Sequence, residues 1–231
     1  MRNLSDDLSF PPRPASIGVQ LSVLFGGFNN QFGWIFTTAG LLGFGIFSRV
    51  LIEEGEGLKS FLIPFIPLVF LFIGVYFLRQ GINQGLLARY LLINGELTEG
   101  EVVSWEETNT RINDEPVIAY TLKYKADNVA YRITEKTHLH SRLEDDDKEP
   151  ILYDPRNPQD AIAIDVLPME LEVGRNGQLN FAGGAGIVRL VLGLLIPAIC
   201  ITIIGAYGFL YYCFWFIWKP FESIETDPAT A

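Results

Sequence analysis

Three apolar runs, about Phe32–Ile52, Ser60–Leu78 and Ile187–Trp218, carry no more than one charge each. A helix needs roughly 20 apolar residues to cross the hydrocarbon of a bilayer, and a soluble core helix rarely reaches that length without charges. The runs therefore predict three transmembrane helices. Trp34 opens the first, and Tyr211, Tyr212, Trp215 and Trp218 crowd the end of the third before Lys219. Such rings have an apolar body and a polar edge and settle at headgroup depth. Pro64, Pro67 and Pro197 predict kinks, because proline removes a helical hydrogen bond.

The charge is segregated. The chain has a net charge of −10, with 49% hydrophobic residues and a mean hydropathy of +0.25. Between Gln84 and Asn180 there are 10 basic and 19 acidic residues, so this stretch carries nearly all of the excess. An acidic region repels phosphate backbones, and nucleic acid is not an expected partner. Both cysteines, Cys200 and Cys213, lie in the third run. The acidic region has neither a disulfide framework nor a cysteine metal site.

Within the acidic region the apolar residues alternate. In 116–125, Ile118, Tyr120, Leu122 and Tyr124 share one face; after the turn residues 126–128, Val129, Tyr131 and Ile133 do the same. Period-two alternation about a short Asp-Asn turn predicts a hairpin. With 100–107, 150–153 and 160–165 this makes about five short antiparallel strands, a curled sheet or small barrel. The expected fold is an α+β membrane protein, with three transmembrane helices and this β domain between the second and third. Its divisions are residues 1–31, a polar N-terminus; 32–82, two membrane helices; 83–180, the soluble acidic β domain; and 181–231, the third helix and a polar tail. The alternating strands predict that the region from about Asn94 to Glu172 folds by itself.

Two flanking segments are less regular. In "SIGVQLSVLFGGFNNQ", residues 16–31, Ile17, Leu21, Leu24, Phe25 and Phe28 fall on one helical face. The segment reads as an interfacial amphipathic helix, a re-entrant piece or an extension of the first span. The glycine-rich "GRNGQLNFAGGAG", residues 174–186, lacks a phosphate-loop lysine and reads as a flexible linker. Ala39/Gly43 and Ala182/Gly186 form small-x-x-x-small pairs, which would suit a homo-oligomer through small-residue helix faces.

The stretch "EPILYDPRNPQDAIAID", 149–165, raises the question of chemistry. Two prolines three residues apart break a ladder, and Asp154 can accept hydrogen bonds from the turn's own backbone. Strand, turn, strand is the reading. "GEVVSWEET", "AYTLKYKADNVAYRI" and "EPILYDPRNPQDAIAIDVLP" together resemble the domain of unknown function 3592 family. In that family membrane helices flank a small β domain that ends in a Tyr-Asp-Pro turn. The matching positions are Gly100, Val102, Tyr124, Tyr131, Tyr153, Asp154, Pro155 and Pro158; Asn128 stands where a hairpin glycine is common. The resemblance implies no activity and supplies no catalytic residue.

His138 and His140 form an H-x-H ahead of "EDDDKE" (144–149), which makes them, with Asp145 and Asp147, the candidate metal ligands. Only two of the usual three or four ligands are placed, and the acidic run also suits a solvated loop. No nucleotide loop, hydrolase elbow or metalloprotease motif occurs. The expectation is a non-enzymatic interaction or scaffold protein without cofactor, held in the bilayer and meeting a membrane-adjacent protein partner. The alternatives are a metal-dependent or hydrolytic enzyme using the His138/His140 loop, and an accessory subunit of a transport or envelope-assembly complex. A multi-pass protein of the cell membrane is expected, the inner membrane if the cell is Gram-negative. Arg13, Arg79, Arg89 and Arg175 on one side outnumber Arg49, Lys59 and Lys219 on the other, which points to a cytoplasmic β domain.

Overall fold

A computed structural model describes residues 8, 10–54, 65–112, 114–137, 143, 148–174 and 177–213. The elements are α1 (Ile17–Phe25), α2 (Phe28–Glu54), α3 (Phe65–Asn94), β1 (Glu96–Ile112), β2 (Glu115–Ala126), β3 (Val129–Thr137), β4 (Glu149–Asp154) and β5 (Asn157–Ala163). A 3-10 turn (Ile164–Val166), β6 (Leu171–Val173), β7 (Leu179–Phe181) and α4 (Gly184–Cys213) follow. The chain divides into two compact units: Met1–Gly27 with Gly81–Gly193, and Phe28–Gln80 with Leu194–Ala231.

The first unit is built on a nearly closed, fully antiparallel sheet in the order β3-β2-β1-β4-β5. The β2–β3 hairpin closes at Asp127 and Asn128, with φ of 49° and 64°. Positive φ at both central residues is what a two-residue hairpin turn demands, and Asp and Asn tolerate it best after glycine. The expected alternation holds along β2, where Tyr120, Leu122, Tyr124 and Ala126 are buried. They meet Ile133, Ile151, Tyr153, Ala161 and Ala163 inside the sheet. A Cβ on Gly100 would lie 2.3 Å from the terminal methyl of Ile151, so any larger residue here would push that side chain out of its place in the core.

β4 is buried on both faces. Ile151 and Tyr153 enter the sheet interior, whereas Leu152 points the other way. Leu152 joins a second core made with Ile164, Leu167, Met169 and Leu179, Val19 and Val23 of α1, and Ala88, Leu91 and Leu92 of α3. The residues of α3 are spaced i, i+3, i+4, one face of a helix. The face of α1 that this core buries is Val19–Ser22–Val23, opposite the Ile17–Leu21 face expected to lead. α1 runs antiparallel along α3: Gly85 has no side chain where Leu24 and the Val23 carbonyl approach, and Arg89 Nε donates to Gln20 Oε1 at 2.9 Å.

The segment before α1 is stitched in as well. The Leu179 amide donates to the Pro14 carbonyl at 2.8 Å, and the Ser16 amide to the Leu179 carbonyl at 3.0 Å. Leu179 belongs to β7, which pairs with β6. The stretch expected to be a flexible linker thus contains a strand, because Leu179 and Phe181 supply an apolar anchor that the glycines around them hide. Gly186 packs under the Phe181 ring. Ala182 lies before α4 begins, so Ala182/Gly186 is not a helix-face pair.

In the second unit α2 and the first half of α3 pair tightly. Gly33 sits against Leu78, Gly74 against Thr37, Gly40 against Leu71 and Gly43 against Pro67. The contacts advance along one helix as they retreat along the other, which defines an antiparallel pair with close backbones. Gly43 therefore serves a contact within the chain, while Ala39 is exposed. Phe36 stacks with Phe70 at 5.7 Å, and Phe32 meets Phe77 edge-on at 5.9 Å. Pro67 falls in the first turn of α3, where no intrahelical amide bond is lost, so it need not kink the helix. Pro197 lies inside α4.

Among the described residues two helices are long and apolar enough to cross a membrane, Phe65–Asn94 and Gly186–Tyr211, where three were expected. α2 has 27 residues, but Asn29, Asn30 and Gln31 open it. Gly33, Thr37, Thr38, Gly40, Gly43, Gly45 and Ser48 then dilute its aliphatic content. Ser60–Pro64 of the second expected span and Phe214–Trp218 of the third lie outside the described residues. Phe72 is 72% exposed and Phe209 66%, surfaces that suit lipid better than water.

Candidate functional site: a tyrosine cluster at the β4–β5 turn

The positions that carried the family resemblance meet at one end of the sheet. Gly100 pairs with Tyr124 across β1 and β2, and Tyr124 with Tyr131 across β2 and β3. The Tyr124 ring stacks on Tyr131 at 5.9 Å and leans on Tyr153 at 6.1 Å. Val102 pairs with Leu122 and packs on the same core. Two residues, Pro155 and Arg156, separate the paired Asp154 and Asn157.

Several polar groups of the cluster have an internal use. The Arg156 amide donates to Asp154 Oδ1 at 3.0 Å, an Asx turn. Asn157 Nδ2 donates to Asp160 Oδ2 at 2.9 Å. The ladder slips between Tyr153 and Asp154, so Pro158 lies in an irregularity where no amide donor is needed. The Pro158 carbonyl accepts from the Tyr124 hydroxyl. The Tyr153 hydroxyl donates to Glu96 Oε2 at 2.8 Å.

The electrostatics follow from this packing. Burial, then Tyr131 and Asp160 nearby, pushes the Tyr124 hydroxyl up to about 12. Burial, the hydrogen bond to Glu96 and the charges of Glu96 and Asp127 push Tyr153 up to about 12 as well. Both hydroxyls stay protonated at neutral pH and donate hydrogen bonds. The cluster aligns and locks strands.

Three residues that sequence reasoning missed hold the surroundings. Arg13 is 3% exposed, yet its Nη1 donates to the Gly95 carbonyl at 2.7 Å and its amide to the Ile93 carbonyl at 2.7 Å. A cation at a helix C-terminus satisfies end carbonyls and complements the dipole. Burial lowers its pKa, opposed by Glu96. Nothing in "PPRPAS" signals this long-range cap. Glu96 follows the helix-ending Gly95 and accepts from Tyr153. Glu135 had a signal: it continues the inward face of Tyr131 and Ile133 at period two. It lies on β3, and its carboxyl meets the Ala163 amide of β5, the opposite edge strand.

Burial pushes Glu135 up to about 7, against the Ala163 hydrogen bond. Its folded pKa is above the usual value of 4.5, so the folded state binds more protons between the two. The associated stability is full below about 4.5 and is lost as pH rises through about 7. Glu135→Gln is expected to remove this slope and to stabilise the protein at pH about 8, by on the order of 1–3 kcal/mol. Melting curves across that range check it, and an unchanged slope contradicts it.

His138, His140, Asp145 and Asp147 lie outside the described residues. Among the described residues no group of three or more His, Cys, Asp or Glu side chains is arranged to hold a metal. Comparison with family models, curated proteins and solved structures returns no match to this chain.

Proposed function

We propose that the chain is a multi-pass membrane protein of the cell membrane, with α2 as a third membrane helix and a cytoplasmic β domain that engages a protein partner near the bilayer. It works as an interaction or scaffold protein and not by catalysis. The close antiparallel pairing of α2 with α3 through Gly33, Gly40, Gly43 and Gly74 supports the third helix. The resemblance to the domain of unknown function 3592 family rests on the residues quoted above, with the same layout of helices and β domain.

The observation that carries the interaction reading is Trp105. It is 62% exposed on β1, beside the irregularity at Val103, while the Tyr124 and Tyr153 hydroxyls are engaged internally. Tryptophan is over-represented among residues that dominate protein interfaces. A photo-reactive amino acid placed at Trp105 is expected to give one discrete cross-linked product in native membranes, and the same group at exposed Lys136 none. No product at Trp105, or the same products at both positions, contradicts the reading.

A further inference from the structure

α1 is apolar on two opposite faces. The inner face, Val19, Ser22 and Val23, closes the core described above. The outer face begins with Ile17, 76% exposed, and continues through partly exposed Leu21, Leu24 and Phe25. Nine residues are too few to cross a bilayer.

We propose that α1 is a lipid-contacting wedge, its outer face seated in the boundary between headgroups and acyl chains while its inner face completes the β domain. This rests on the membrane reading above. The occupant follows from what α1 is packed against. Leu24 lies on Gly85 of α3, Gly26 on Gly193 of α4, and Gly18 near Leu190 of α4. Both helices are the ones long and apolar enough to cross a membrane. Beside those contacts they expose Ile82, Leu86, Ile187, Val188 and Val191, so the outer face of α1 continues an apolar surface that a bilayer would cover.

The polar content of α1 fits the same occupant. The helix carries no ionisable residue. Its Gln20 amide is used at both ends: Nε2 donates to the Ala15 carbonyl at 2.9 Å, and Oε1 accepts from Arg89 Nε at 2.9 Å. The Ser16 hydroxyl caps the first turn. Seating α1 therefore strips water from apolar atoms without stranding a charge of the helix itself, while the exposed Arg89 guanidinium that Gln20 holds can stay at headgroup depth.

The test uses the full chain with Cys200→Ala and Cys213→Ala, reconstituted in zwitterionic phosphatidylcholine vesicles. Single cysteines replace Ile17, Ile201 or Val103 in turn, and each is labelled with a nitrobenzoxadiazole fluorophore. Lipids bearing a nitroxide near the glycerol end of the chain are expected to quench the probe at Ile17 and leave it protected from aqueous iodide, with the reverse at Val103. A probe at Ile17 that iodide quenches like the one at Val103 overturns the wedge. So does a probe shielded from both quenchers, which would mean that protein covers the face. The probe at Ile201, exposed on α4, separates the two readings. If lipid nitroxides fail there too, the membrane reading falls and the wedge with it; if they succeed there and fail at Ile17, the wedge alone falls.

Discussion

A fragment covering Asn94–Glu172 is expected to give the circular dichroism spectrum of a disordered chain, although it contains the whole five-stranded sheet. It lacks one side of its second core. Leu152, Ile164, Leu167 and Met169 would face water, because Val19, Val23, Ala88, Leu91, Leu92 and Leu179 lie outside the fragment. Burying a valine or leucine contributes roughly 1.5–3 kcal/mol. The two valines and three leucines together therefore approach the entire stability of an ordinary domain, about 5–15 kcal/mol. The fragment also loses the Arg13 cap and the β7 strand. The full chain in nanodiscs serves as the folded reference. A strand-rich, cooperatively melting fragment would contradict the expectation and restore an autonomous β domain.

Tyr124→Ala is expected to be the most damaging single change in the tyrosine cluster, at about 3–5 kcal/mol, the usual cost of emptying an aromatic core position. Its ring touches Tyr131 and Tyr153, and its hydroxyl closes on Pro158. Tyr124→Phe keeps the ring and leaves the Pro158 carbonyl without that donor, at a cost of about 1–3 kcal/mol. Asp154→Asn retains an oxygen for the Arg156 amide and should cost less than about 1 kcal/mol. Thermal melts of the three variants order these costs. The turn reading fails if Asp154→Asn melts like the parent yet abolishes cellular function, since a catalytic carboxylate behaves that way.

The strands were legible because their signals are local. Alternation over Ile118–Tyr124, the Asp127–Asn128 turn and the Tyr-Asp-Pro turn each fit within a few residues. β4 shows the limit of that reading. Its run "ILY" names a buried strand without saying that Leu152 faces a different core from its neighbours. The N-terminal contribution was hidden for the same reason. Val19 and Val23 blurred the amphipathic pattern of α1 because they belong to a second apolar face, and their partners Leu91, Leu92 and Leu152 lie more than 60 residues away in sequence. In the sequence Arg13 served only as one of the basic residues that mark a side of the membrane. Only the α3 end, brought beside it by the fold, gives its guanidinium a carbonyl to bind. The tyrosine cluster was legible as a set of positions, but its hydrogen-bond partners Glu96 and the Pro158 carbonyl carry no sequence signature.

The central claim is that α1 and the end of α3 are part of the β domain's core, so they should open only when the sheet does. Hydrogen exchange on the full chain in nanodiscs measures this directly, because amides that share one cooperative unit share one opening free energy. The amides of Val23 in α1 and Leu91 and Leu92 in α3 are expected to exchange as slowly as those of Ile151–Tyr153 in β4. Fast exchange throughout α1 beside a protected β4 would contradict the claim, and would leave the sheet standing without its N-terminal helix.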